Sequence, residues 1–399
     1  MQTLEGALEL LLAHGKPVEQ TEEVSLPDAL GRVAAKDVIS PIAVPPFDRS
    51  PLDGYGLHSE DIVGASPERP VMLKVIGEAC AGCGERFHPA RGEAVRLMTG
   101  APVPPECDCV IRQEDTDEGT EMVSIRASVS SGRNICRAGE DVAVGAVVTR
   151  AGEKLTSAHI GVLASLGVTR VTVYRRVRVA LLCTGDELVQ PGSPLPFGKI
   201  YDANRATLSA RLAELNAQAE LLPSEADEPQ RVADILAQAA RKADVLITTG
   251  GVSVGKKDIF HRVLPLMGAE RLFWKVAMKP GTPLLCGLYE GKLLLCLSGN
   301  PFAALACFEL IAKPVLARLA GCAEAVNPRV RARLSGSFGK PSPGRRLIRA
   351  RFDGERVRIT DNNHSSGSLS SMIGCNCLID IPAGSGALAD GDEVEIVLL

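Results

Sequence analysis

Residues 248–258 read Thr-Thr-Gly-Gly-Val-Ser-Val-Gly-Lys-Lys-Asp, a glycine-rich stretch between an apolar run and a helical pattern. Glycines at such a junction let backbone amides come close to a phosphate or other oxyanion, and the start of the following helix favours negative charge. Two chemistries overlap here. Gly250-x4-Gly255-Lys256 has the spacing of a nucleoside-triphosphate loop, but Lys257 stands where Ser or Thr contacts magnesium, which argues against that use. Gly251-Val252-Ser253-Val254-Gly255 has the spacing of a hydrolase nucleophile elbow, with His261 or His364 available as the base. A turn that only closes a strand-helix unit would have the same composition.

Acids recur at equivalent places. Asp186 and Glu187 follow the apolar run ending at Cys183, Asp227 and Glu228 precede a helix, and Asp258 closes the glycine-rich loop. Carboxylates from separate loops on one rim suit a hard cation such as magnesium, although each position also suits a solvated helix cap. Lys275 and Lys279, in Trp-Lys-Val-Ala-Met-Lys-Pro-Gly, supply point charges for a phosphate or oxyanion. The Cys80-x-x-Cys83, Cys107-x-Cys109 and Cys375-x-Cys377 pairs could offer thiolates to a metal, but a zinc site needs two pairs to converge, which spacing cannot establish. In a long chain without an export signal, the 12 cysteines read as reduced thiols.

The elements around these residues set where they must sit. A helix capped by Thr3 carries Leu4, Ala7, Leu8, Leu11 and Leu12 on one face and stops at Gly15. Short β-rich runs follow between about residues 40 and 131 (Val71 to Ile76, Ala94 to Met98, Cys109 to Arg112, Met122 to Ile125), and a helix over Ser157 to Leu166 ends at Gly167. Gly139 to Leu155, read as turns and short strands, is expected, together with that helix, to rejoin the first helix in space. From 177 to 321 strands and helices alternate, which predicts parallel strands with crossover helices. The expected members include strands at 177–183, 245–249, 271–278 and 293–297, a helix near 257–266 and a long helix over 301–319. After Asn327-Pro328 the alternation becomes β only, predicting a compact β domain. The fold class is therefore multidomain α/β plus β, with a central doubly wound, mostly parallel sheet domain.

At 399 residues the chain is long for one core and calls for several domains. With 45% apolar and 23% charged residues it is not a disordered chain, and a net charge of −4 gives no global field to draw it onto nucleic acid or anionic lipid. No run approaches the ~20 apolar residues of a membrane helix, and Glu5 and Glu9 in the first apolar stretch argue against a signal peptide. The reading is a cytoplasmic protein without nucleic-acid or membrane partners.

The ordered series Pro46-Phe-Asp-Arg-Ser-Pro-Leu-Asp-Gly-Tyr-Gly56, Met98-Thr-Gly-Ala-Pro-Val-Pro104, Thr184-Gly-Asp-Glu-Leu188, Gly250 to Gly255 and Ser298-Gly-Asn-Pro301 resembles the molybdopterin molybdenumtransferases. These are the MoeA-like insertases related to the gephyrin E domain, and the likeness runs from the first helix to Leu369-Ser-Ser-Met372. The resemblance implies a homodimer of elongated subunits with four domains. They fall at residues 1–45 with 132–176 (elongated, discontinuous), 46–131 (inserted β), 177–326 (α/β, molybdopterin-binding) and 327–399 (β barrel). It implies insertion of molybdate into adenylylated molybdopterin with release of AMP, magnesium as cofactor, and a MogA-like molybdopterin adenylyltransferase as upstream partner.

By motif position the resemblance assigns catalytic roles to Asp53, Glu187, Asp227, Asp258, Lys275 and Lys279. It assigns substrate binding to Thr99, Asp141, Thr184, Gly250, Gly251, Ser253, Gly255, Pro301 and Ser366. Glu187 and Asp258 are expected to hold the metal, Asp227 to position the pterin, and Asp53 and Thr99 to reach a site across the dimer. Three departures stand out: Arg49 where Asn is common, Thr282 where Lys often follows Lys-Pro-Gly, and Ser298 where Pro usually precedes Gly-Asn-Pro. Ser298 is expected to loosen its loop, and Thr282 to remove one contact with the anionic substrate. The alternatives are a serine hydrolase using Ser253 and a gephyrin-like scaffold that binds receptor peptides.

Overall fold

The computed structural model describes residues 1–82, 84–223, 228–252, 258–323, 326–360 and 365–399. Its central sheet contains β1 (Arg178–Cys183), β2 (Gln218–Leu221), β3 (Val245–Thr249), β4 (Glu270–Trp274), β5 (Leu285–Tyr289) and β6 (Lys292–Leu297) in the order β2-β1-β3-β6-β5-β4. The first four in that order are parallel, and β5 and β4 extend the sheet antiparallel. Helices α1 (Ala203–Glu214), α2 (Pro229–Ala240), α3 (Phe260–Met267) and α4 (Pro301–Cys307) flank it, α4 running through one wider turn at Phe308–Ala312 into Lys313–Leu319.

Alternation along the strands explains why both faces are covered. Val179, Leu181, Val245, Ile247, Leu293 and Leu295 join the core under α1 and α4, while Ala180, Leu182, Leu246, Leu294 and Cys296 join the core under α2 and α3. Strands buried on both faces read as continuous apolar runs, as these do. Two expectations change here. The strand expected through Met278 stops at Trp274, because Lys275 has φ +73° and cannot continue an extended chain. Strand β5 went unread; it forms a hairpin with β6 across Glu290 and Gly291, both at positive φ, the conformation of a two-residue hairpin turn.

The flanking regions follow from pairing. Thr21–Ser25 pairs with Arg170–Tyr174, and Val38–Ile39 with Val147–Thr149, so the segment after the inserted β region returns to the chain before it. The first helix does not belong with them. Leu4, Ala7 and Leu11 of Leu4–His14 are buried in the core of the central sheet, beneath Val315 and Leu319, so residues 4–14 extend that body and not the elongated unit assigned to 1–45. The inserted region is a five-stranded sheet that adds Gly54–Leu57 to the four expected runs. The C-terminal region closes a five-stranded barrel from Arg329–Ser335, Arg346–Phe352, Arg356–Ile359, Cys377–Ile381 and Glu393–Leu398. Among the described residues no helix is long and apolar enough to cross a membrane. Cys107 and Cys109 pack inside the small sheet, where burial pushes both thiols up to about 12 and leaves them as small apolar groups.

Candidate active site

Three adjacent parallel strands, β1, β3 and β6, end at the same edge, and their loops are zipped together beyond the sheet. Thr184 N–H donates to the Thr249 carbonyl at 3.0 Å and Gly250 N–H to the Leu297 carbonyl at 3.3 Å. Gly250 sits at φ +92°, and a Cβ there would stand 2.3 Å from the Thr184 carbonyl oxygen, so only glycine permits this approach. The amide of Asn204, in the first turn of α1, donates to the Gly299 carbonyl at 2.8 Å and ties in the third loop.

Above this seam lies a cavity of about 460 Å³ lined by Thr184, Gly250, Gly251, Glu187, Asp202 and Asp258 among others. Glu187 is exposed and Asp258 half-buried. Asp202 is buried at 2% exposure; one oxygen accepts from Arg205 N–H at 2.9 Å, and the carboxylate lies close to the Cys183 thiol. All three acids line this cavity, and among the described residues no three ligating side chains could hold a metal ion by themselves. Magnesium commonly takes one or two carboxylates and completes its shell with water and substrate phosphate, so Glu187 and Asp258 fit a metal held jointly with a phosphate ligand.

A second cavity, of about 530 Å³, shares Pro283, Ser298 and Asn300 with the first and opens between the sheet domain and the barrel. Its charged lining residues are Lys279 and Arg346, with no carboxylate among the described residues. Backbone pairing builds it. Lys279 N–H donates to the Arg345 carbonyl at 2.9 Å and Leu347 N–H to the Lys279 carbonyl at 2.7 Å, which lays the barrel strand beside the Lys279–Pro283 segment. The Arg346 guanidinium stands 5.5 Å from the Phe338 ring centre, with Nε buried and unpartnered among the described residues. Arg349, buried against the Phe302 ring at 4.1 Å, donates to the Ser365 and Ser368 carbonyls and holds the loop carrying Ser366. Ser366 in turn accepts from Phe302 N–H at 3.0 Å through its carbonyl and from the Asn300 amide at 3.2 Å through its hydroxyl.

Residues 2–167 match the MoeA N-terminal region (domains I and II), 180–318 the probable molybdopterin binding domain, and 331–399 the MoeA C-terminal region (domain IV). Molybdopterin molybdenumtransferase 2 of Mycobacterium tuberculosis is 36% identical over 94% of both chains. The chain belongs to the molybdopterin molybdenumtransferase family. Molybdopterin molybdenumtransferase of Staphylococcus aureus is 34% identical over 94% of this chain and 90% of its own. The crystal structure of the molybdopterin biosynthesis MoeA protein of Pyrococcus horikoshii OT3 superimposes with a TM-score of 0.85 at 29% identity, covering all of both chains.

Against this transferase frame the expected site residues separate. Glu187, Asp258, Thr184, Gly250, Gly251 and Pro301 line the acidic cavity, and Lys279 and Ser366 the cationic one. Asp53, Thr99 and Asp141 line neither. Asp53 accepts from the Thr99 hydroxyl and backbone N–H, both at 2.7 Å, and these bonds hold its carboxyl below the ordinary range. Asp227, Ser253, Gly255 and His364 lie outside the described residues. Lys275 also lines neither cavity: its ammonium is 4.0 Å from the Trp274 ring centre. Trp274 donates its indole N–H to the Val252 carbonyl at 3.2 Å, so the lysine stands on the residue that supports the glycine-rich loop.

His261 packs edge-on to the same indole at 4.5 Å and lines neither cavity; burial first, then Arg271, lowers its pKa. Ser298 differs from expectation. Its hydroxyl accepts from Asn300 N–H at 3.4 Å, a side-chain contact proline lacks, and so adds a hold on its loop. Sequence reasoning missed Asp202 and Arg346. Asp202 was legible as an acid capping α1, a feature of strand-to-helix boundaries, whereas Arg346 had no local signal.

Proposed function

We propose that this transferase inserts molybdate into adenylylated molybdopterin and releases AMP, the step that completes a molybdenum cofactor. The observation that carries the reading is the pair of adjoining cavities of opposite charge, one at the glycine-lined rim of the sheet and one facing the barrel. The phosphoanhydride of the substrate occupies the rim, where Gly250 lets the loops after β1 and β3 close against each other. Glu187 and Asp258 orient the attacking water and would hold magnesium, which when bound neutralises phosphate charge as the link breaks. Lys279 and Arg346 hold molybdate by charge-assisted hydrogen bonds, with Ser298 and Asn300 at the boundary between the two substrates.

The serine hydrolase alternative loses its described base, since His261 is packed under Trp274. Release of AMP from adenylylated molybdopterin, dependent on molybdate and magnesium, is the deciding assay; a folded protein that releases none would favour a scaffold. The reading includes a cytoplasmic setting and an upstream adenylyltransferase that supplies the substrate.

The same reading makes the enzyme a homodimer in which Asp53 and Thr99, which line neither cavity of their own chain, act on the partner's site. Mixing Asp53→Ala and Glu187→Gln subunits should then restore activity to one site per heterodimer. Failure of mixed subunits to recover any activity would remove the shared site.

A further inference from the structure

Trp274 is the only tryptophan of the chain and ends β4, the outer strand of the central sheet. Because β4 is antiparallel to β5 and β5 to β6, it finishes at the same edge as β1, β3 and β6, although Trp274 lines neither cavity there. Each part of the indole has a different partner. Its N–H donates to the carbonyl of Val252, at the start of the glycine-rich stretch, at 3.2 Å. His261, in the first turn of the helix that follows Asp258, meets it edge-on at 4.5 Å between ring centres. The Lys275 ammonium lies 4.0 Å from its ring centre.

The last contact requires the unusual backbone at Lys275. Neighbours in a strand point to opposite faces, so a lysine continuing β4 would leave the indole; at φ +73° it lies over the ring instead. Non-glycine residues seldom adopt this conformation, and it persists where the surroundings fix it, commonly beside functional sites. Here Lys275 N–H donates to the Leu284 carbonyl at 2.8 Å, and the Lys275 carbonyl accepts from Gln2 N–H at 2.9 Å. One ring thus joins Lys275 to both described ends of the glycine-rich stretch, and Val252 and Asp258 at those ends line the acidic cavity.

We propose that Trp274 is a positioning residue for the transfer reaction. Acting through its neighbours, it fixes Val252, Asp258 and Lys275 relative to one another, so the acidic rim is set before the phosphoanhydride arrives. The inference rests on the reading of that rim as the place where AMP is released.

Two measurements on the full-length protein test it. Trp274→Phe keeps a ring for His261 and Lys275 but loses the N–H, so kcat for AMP release should fall by about tenfold, the effect of one hydrogen bond on a barrier. Trp274→Leu loses all three contacts and should fall by roughly 10², as misplaced groups do. KM for adenylylated molybdopterin should stay within about twofold in both, as for groups that act on the transition state alone. Since the wild type holds a single tryptophan, its emission reports this indole alone, and titration with AMP at saturating magnesium should shift it to a plateau. Wild-type kcat in Trp274→Phe, whether or not KM rises, would overturn the proposal, as would emission that AMP leaves unmoved. A wild type that releases no AMP would sink the insertion reading instead, and the emission titration would still decide whether the indole senses the rim.

Discussion

The two cavities at the carboxyl end of the sheet are of similar size and share Pro283, Ser298 and Asn300, yet one is walled by carboxylates and the other by Lys279 and Arg346. The difference comes from how each is built. The acidic wall uses loops of a single doubly wound domain, whereas the cationic wall exists only where a barrel strand is laid along Lys279–Pro283. Opposite walls can sort two anionic substrates. At roughly 8 Å and an effective dielectric near ~20, one unit charge biases another by about 2 kcal/mol, enough to exclude a bare oxyanion from one side and retain it on the other.

The comparison is most easily broken on the acidic side. Glu187→Gln and Asp258→Asn each keep size and remove charge. AMP release should fall by roughly 10² or more while binding of adenylylated molybdopterin and fold stability change little, because the lost interaction is made mainly in the transition state. Normal turnover by both variants at limiting magnesium would reduce these acids to helix caps.

On the cationic side the expected effect is smaller and of another kind. Arg346→Ala should raise the half-saturating molybdate concentration by about tenfold, with maximal AMP release at saturating molybdate largely kept, as for a group that binds one substrate without sharpening the transition state. Arg346→Lys should recover only part of the loss, since an ammonium cannot present two parallel donors to an oxyanion. A fall in maximal rate at unchanged molybdate dependence would move Arg346 to the acidic cavity's function.

How much of this was legible follows from the same contrast. Glu187 and Asp258 could be placed together because strand-helix alternation sends every loop after a parallel strand to one edge. Arg346 could not, since its position depends on two segments far apart in sequence pairing through Lys279. The first helix was read correctly from its apolar stripe and its Thr3 cap, donor Gly6 N–H at 3.0 Å, but its stripe does not say which core it joins. Lys275 was drawn into an extended strand by an apolar pattern, and its positive φ, a tertiary constraint, leaves no trace in composition.

The frame of the cationic wall offers a pH test. Arg345, next to Arg346, donates to Asp380 at 2.8 and 2.5 Å, and Arg329 donates to the same carboxylate at 2.8 Å. Burial would raise the Asp380 pKa, but the hydrogen bonds from Arg345 and Arg329 outweigh it and hold the carboxyl below its ordinary value. A depressed folded pKa contributes stability that is present above the unfolded value near ~3.9 and is lost as pH falls through the folded one. Urea midpoints should therefore drop below about pH 4, and Asp380→Asn should be less stable at neutral pH yet show a flatter slope in that acid range. An unchanged slope would mean that this carboxylate does not anchor the wall.

The smallest expected effect adds charge to the contrast. Thr282 lines the cationic cavity at the position where the motif resemblance leads to an expectation of lysine, and its hydroxyl donates to the Met278 carbonyl at 2.5 Å, a local bond that involves no substrate. Thr282→Lys gives up that bond and places a third cation beside Lys279 and Arg346. Exposed or half-exposed charges interact weakly and are screened over about 8 Å at physiological ionic strength, so molybdate should bind only a few-fold more tightly. The gain should shrink as salt rises, while magnesium dependence, set at the acidic wall, stays as in the parent. Tighter molybdate binding that survives 1 M salt would point to a direct short contact, and a change in magnesium dependence would show that the two walls are not electrically separate.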